Sequence, residues 1–96
     1  MYILVTYDVA TADPAGAKRL RKVARICLNY GLRVQNSVFE CLVDPAQLVT
    51  LQALLQESID PEQDSVRIYT LGKNYRQYIK CLGRVTSFNI EDELIV

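Results

Sequence analysis

The sequence predicts an α+β domain of β-α-β-β-α-β order, with four antiparallel strands, both helices on one sheet face and an additional C-terminal strand. Three observations lead there. Strand-like segments lie at residues 2–9 and at Ser65–Leu71. Two stretches with helical spacing each open on an Asp-Pro pair, at Asp13-Pro14 and Asp44-Pro45. Between them lies one extended region, Leu32–Val43, with Asn36-Ser37 near its middle as a tight turn.

Each element follows from its residues. In the first strand Ile3, Val5, Tyr7 and Val9 share one face, and Tyr2, Leu4, Thr6 and Asp8 share the other. Both faces are largely apolar, so both must be covered. Asp13 is a helix N-cap with Pro14 at the first helical position. Leu20, Val23, Ala24, Cys27 and Leu28 then form an apolar side, and Gly31 is the expected C′ glycine. Asp44-Pro45-Ala46-Gln47 is a capping-box pattern, followed by the stripe Leu48, Leu51, Leu54, Leu55 and Ile59. Asp60–Asp64 reads as an acidic loop and Gly72 ends the last core strand. This order is the split βαβ, or ferredoxin-like, arrangement. Its outer sheet face is apolar enough to need a partner, which a homodimer would supply.

The chain has 96 residues, half of them apolar, which is the size of one domain. Residues 1–72 form the expected core and 73–96 an extension for dimer and partner contacts. Within it Lys73, Tyr75, Arg76 and Tyr78 are basic and aromatic, a pattern open to gripping nucleic acid or to lining an ordinary turn. Val85–Ile90 has strand composition, and Leu94-Ile95-Val96 closes the chain. No run approaches the ~20 apolar residues of a membrane span, and no charged segment precedes an apolar leader. Cys27, Cys41 and Cys81 match neither a zinc pattern nor an even disulfide framework. Together these point to the cytoplasm.

Net charge is zero, with 11 basic and 11 acidic residues, but the charges are segregated. Pro14–Arg33 holds six bases and no acid, and Val34–Val66 holds six acids and no base. Lys18, Arg21, Lys22 and Arg25 fall on the outer side of the first helix, with Arg19 at its boundary. An ordinary solvated helix would interleave acids for i,i+4 pairing. A face of one sign suits phosphate.

Histidine is absent, which removes serine triads, cysteine–histidine pairs and histidine zinc sites. The four glycines stand too far apart for a phosphate loop. Hydrolysis would have to use carboxylates and a hard cation. Asp8, at the strand mouth, is the candidate ligand for Mg²⁺ or Mn²⁺, completed by a two-fold mate. Its rival role is to cap the loop from Val9 to Asp13. Arg33 and Ser37 flank the turn and suit phosphate oxygens, although Arg33 is equally a solvated edge charge. Phe39 and Tyr7 suit the core or base stacking.

With these residues in place, the chain resembles the CRISPR-associated Cas-two proteins. The likeness runs over residues 2–72. It rests on the strand ending in Tyr7-Asp8, the helix from Lys18-Arg19-Leu20-Arg21-Lys22 to Tyr30-Gly31, the segment Arg33–Glu40 and the strand Asp64–Tyr69. The resemblance implies a ferredoxin-like homodimer whose Asp8 side chains face each other and bind a divalent metal. Tyr7 would join Asp8 in catalysis. Arg33, Ser37 and Phe39 would border the site, and Lys18, Arg19, Arg21, Lys22 and Arg25 would hold the nucleic-acid backbone. It further implies a metal-dependent endonuclease on single-stranded RNA or duplex DNA, and the partner of the CRISPR integrase, the Cas-one protein, in acquiring spacers for antiviral defence. A non-catalytic DNA-binding scaffold of that complex is the alternative. A metabolite-binding regulatory domain is a third reading, resting on the fold alone.

Overall fold

The computed structural model describes residues 1–83. Its elements are β1 (Tyr2–Asp8), α1 (Pro14–Leu28), β2 (Gly31–Gln35), β3 (Val38–Leu42), α2 (Pro45–Ser58) and β4 (Ser65–Leu71), followed by a 3₁₀ turn at Tyr75–Tyr78. The strands form one antiparallel sheet in the order β2-β3-β1-β4. Each helix therefore crosses one intervening strand, which is the ferredoxin-like core. The expected strand at Val85–Ile90 lies outside the described residues.

Register places the core. Ile3 pairs with Cys41 and Thr70, and Val5 pairs with Phe39 and Ile68. Residues directly opposite in a sheet share a face, so all of these point toward the helices. Val23, Ala24 and Cys27 of α1 and Leu51 and Leu55 of α2 close over them. Ile3, Val5, Val23, Cys27, Phe39 and Leu51 have no exposed surface. Each such side chain contributes about 1.5–3 kcal/mol by leaving water. Cys27 and Cys41 are free thiols within this core, pushed up by burial to about 11 and about 12, while Cys81 is free and exposed.

Both helix starts form as their residues dictate. The Asp13 carboxylate accepts the Gly16 N–H at 2.8 Å. At Asp44 the capping box is complete, with bonds of 2.7 and 2.9 Å to and from Gln47. The end of α1 differs from expectation. The helix stops at Leu28, with Asn29 as a right-handed C-cap, and Gly31 is already the first residue of β2. No left-handed glycine ends it, since Gly83 alone has positive φ among the described residues. Gly31 is needed for proximity instead: a Cβ there would meet the Glu40 carbonyl and the Cys41 side chain across the ladder. Leu28, expected on the apolar side, is the last residue of α1 and is 54% exposed.

Candidate functional site

Alternation along β1 separates the two residues at its end. Asp8 lies on the open side of the sheet, opposite Ser65, and is exposed. Its carboxylate has no hydrogen bond or ion pair among the described residues. It does not cap the following loop. The Ala10 N–H donates instead to Asp64, at 3.0 Å.

Tyr7 points the other way, into the core. Its backbone N–H donates to the Ser37 carbonyl at 3.1 Å, and its hydroxyl donates to the Asn36 carbonyl at 3.3 Å. Burial pushes its phenol up, while a hydrogen bond from Arg33 and the charge of that group pull it down. Tyr7 stacks on Phe39 with ring centroids 6.1 Å apart, and the Arg33 guanidinium lies 5.2 Å above the Phe39 ring. These three expected site residues thus form a packed wedge on the helix side. The register of β2 against β3 shifts between Arg33 and Gln35 beside it. Phe39, with no exposed surface, offers no face for a base to stack upon. Ser37 and Arg33 stay at the surface of the turn.

The basic helix divides as well. Lys18, Arg21, Lys22 and Arg25 are exposed along α1. An open groove of about 350 Å³ runs beside Lys18 and Lys22 toward Glu57 and Ile59 at the end of α2. Arg19, the boundary residue, turns inward. Its Nε donates to Asp64 Oδ2 at 2.7 Å and its Nη2 to Oδ1 at 3.3 Å.

Sequence reasoning read Asp64 as the end of an acidic loop and the start of a family-like strand, with no side-chain role. Its side chain is fully buried. Besides Arg19 it accepts the N–H groups of Ala10 and Asp60, at 3.0 and 2.8 Å. It thereby ties the β1–α1 loop, α1 and the α2–β4 loop together below the Asp8 end of the sheet. The Arg19 hydrogen bond, aided by the two backbone donors, holds its carboxyl down at about 2. The one available signal was compositional: an acid directly before a strand, in a chain whose long basic segment has no acid of its own.

The open face of the sheet carries Tyr2, Leu4 and Thr6 on β1, Val38, Glu40 and Leu42 on β3, and Arg67, Tyr69 and Leu71 on β4. Burial pushes the Glu40 carboxyl up. At one end Tyr75 stacks on Tyr2, centroids 4.2 Å apart, and is buried, with no partner for its hydroxyl among the described residues.

A ferredoxin-like domain with a free carboxylate at its central strand end and a helix face of one sign defines a class of small α+β proteins. Comparison with known proteins narrows it. The family described as "CRISPR associated protein Cas2" matches residues 1–79. A CRISPR-associated endonuclease Cas2 of Halalkalibacterium halodurans is 55% identical over 95 residues, covering 99% of both chains. A CRISPR-associated endoribonuclease Cas2 of Chlorobaculum tepidum is 50% identical over 96 residues, covering 100% of both. A crystal structure of Streptococcus pyogenes Cas2 at pH 6.5 superposes with a TM-score of 0.80 at 55% identity, covering 86% of this chain and 100% of that one. The chain belongs to the CRISPR-associated Cas2 family. No helix among the described residues is long and apolar enough to cross a membrane.

Proposed function

We propose that this chain acts as a homodimer that binds duplex DNA or single-stranded RNA and cleaves phosphodiester bonds, as the partner of the CRISPR integrase in spacer acquisition. The observation that carries this reading is the exposed Asp8 carboxylate, unpaired among the described residues, at the rim of the sheet face that neither helix covers. The relatives named endonuclease and endoribonuclease, at 55% and 50% identity, support it.

Asp8 suits a hard cation only as half of a site. Among the described residues no three His, Cys, Asp or Glu side chains gather into a metal cluster. Mg²⁺ accepts one or two carboxylates and keeps several waters, so two Asp8 groups across a two-fold axis fit Mg²⁺ or Mn²⁺. When bound, such an ion supplies Lewis acidity toward the phosphodiester and lowers the pKa of an attacking water. The chain does the rest. Lys18, Arg21, Lys22 and Arg25 hold the phosphate backbone, and Arg33 and Ser37 extend that contact to the turn. Tyr7 is a positioning residue: its two bonds to the turn fix where β1 ends and hence where Asp8 stands. Arg19 contributes indirectly, by holding α1 against Asp64.

Residues 73–96 belong to this reading as an extension toward the second subunit and the integrase. The setting is the cytoplasm, where Cys27, Cys41 and Cys81 remain reduced thiols. The scaffold reading is favoured by one observation: no side chain among the described residues bonds to Asp8 as a base or orienting group would. Cleavage with Mg²⁺ or Mn²⁺, compared between highly purified wild type and Asp8→Asn, decides. Loss of cleavage with the dimer intact is expected. Equal rates would remove Asp8 from catalysis and leave the DNA-binding scaffold.

A further inference from the structure

The proposed site is divided between two elements. Asp8 ends β1, while the exposed cations Lys18, Arg21, Lys22 and Arg25 stand on α1. Holding a phosphate backbone needs only the cations. Cleaving it needs them at a fixed place relative to Asp8.

Asp64 connects the two elements. Its carboxylate is fully buried and accepts four N–H groups. Oδ1 takes the Ala10 N–H at 3.0 Å and Arg19 Nη2 at 3.3 Å. Oδ2 takes Arg19 Nε at 2.7 Å and the Asp60 N–H at 2.8 Å. Ala10 follows Asp8 by two residues, about 7 Å of extended chain at most. Asp64 also directly precedes Ser65, the cross-strand partner of Asp8. Asp8 is thus held from two directions, along the chain and across the ladder. Arg19 carries the same anchor into α1, with Lys18 before it and Lys22 one turn on. An independent contact joins the same points. A Cβ at Gly16, in the first turn of α1, would collide with the Ala10 carbonyl, so the helix start rests on the residue that Asp64 grips.

The donor set fixes the residue type. All four contacts are donors, and only an ionised carboxylate accepts on both oxygens. An asparagine would turn its NH₂ toward Ala10 and Arg19, or toward Arg19 and Asp60, leaving buried donors facing each other. Arg19 in turn commits Nε and Nη2 to the anchor, whereas Lys18 and Lys22 make no ion pair among the described residues.

We propose that Asp64 is a positioning residue for phosphodiester cleavage: through Ala10 and Arg19 it fixes where the Asp8 carboxylate stands relative to the cationic face of α1. Arg19 belongs to that anchor and is not a phosphate contact. This role presupposes the cleavage at Asp8 proposed above. It separates binding from rate, since a misplacement of about 1 Å lowers the rate about a hundredfold while charge on α1 still holds the backbone.

Wild type, Asp8→Asn, Asp64→Asn, Arg19→Gln and Lys22→Gln are compared below their melting temperatures on the substrate that wild type cleaves, duplex DNA or single-stranded RNA. Affinity and its salt slope are measured in EDTA, and kcat and KM with Mg²⁺. Rates are taken per binding-competent chain, counted by stoichiometric titration, so that a loss of folded protein does not imitate the effect. Asp64→Asn and Arg19→Gln should keep wild-type affinity, slope and KM and lose kcat about a hundredfold. Lys22→Gln should reduce the slope by about 0.9 on duplex DNA, or about 0.7 on a single strand. The double variant Asp64→Asn/Arg19→Gln should be no slower than the slower single one, because both break one anchor. Should Asp64→Asn fail to fold, Arg19→Gln carries the test, since it leaves the Ala10 and Asp60 bonds in place.

A wild-type kcat in either variant would overturn the positioning role. So would additive losses in the double variant, or a salt slope in Arg19→Gln reduced as in Lys22→Gln, which would make Arg19 a phosphate contact. Equal cleavage by wild type and Asp8→Asn would overturn the proposed function itself, and this role with it.

Discussion

The two faces of the sheet are built from the same strands and have opposite characters. Toward the helices β1 contributes Ile3, Val5 and Tyr7, locked under α1 and α2 at 0–6% exposure. Toward the open side it contributes Tyr2, Leu4 and Thr6, half-buried, and then Asp8, exposed. The closed face holds the fold, and every charge near it is paired or at its rim. The open face keeps Glu40, Arg67 and Asp8, which a folded monomer does not require. One strand thus sends its odd positions into the core and leaves its even ones on the open side, because its side-chain period is two.

Four variants break or sharpen that contrast. Phe39→Ala removes the largest fully buried side chain, along with the ring that Tyr7 and Arg33 stack upon. It should cost about 3–5 kcal/mol, read by denaturant unfolding, and loosen the turn beside Asp8.

Asp64→Asn should come next. The Asp64 carboxyl lies at about 2 in the folded chain against an ordinary 3.8. Its folded value is depressed, so its contribution is present above about pH 4 and is lost as pH falls toward 2. Wild type should lose Tm steeply across that window. The variant should melt lower at pH 7 and show a flatter acid limb.

Leu4→Glu strikes the open face beside Glu40. A half-buried position should cost the folded chain only about 1 kcal/mol, while the proposed dimer should dissociate on sedimentation. Equal loss in monomer and dimer would mean that the two faces are less distinct than described.

Smallest for the fold is Lys22→Glu with Arg25→Glu, on the exposed side of α1. Stability should stay within about 0.5 kcal/mol per site. Duplex DNA binding should weaken for all sequences alike, and each lost phosphate contact should reduce the salt slope by about 0.9. Unchanged affinity and slope would leave that helix face merely solvated.

What was legible in the sequence was local. Asp13-Pro14 and Asp44-Pro45-Gln47 announce their helices because capping involves neighbours only. The alternation of β1 separates Tyr7 from Asp8 because parity survives any tertiary context. Contacts between distant residues were not legible. Gly31 reads as a helix stop until Glu40 and Cys41 are seen against it. Arg19 reads as one more cation until it meets Asp64, 45 residues away. Phe39 reads equally as a base platform until its register opposite Val5 turns it to the core. The position of Asp8 is the exception among the site residues, since a strand end is both a local and a tertiary landmark.

The thiols carry a practical consequence. Cys27 and Cys41 are sealed between the sheet and α1, and burial keeps both protonated, while Cys81 faces solvent. An alkylating reagent should therefore label one site at once and the other two only as fast as the core opens. Mass spectrometry of the labelled chain becomes a clock for the breathing of the native state. If a metal or nucleic acid is bound and slows the second and third labels, its hold on the whole domain is read without any dye, tag or substitution.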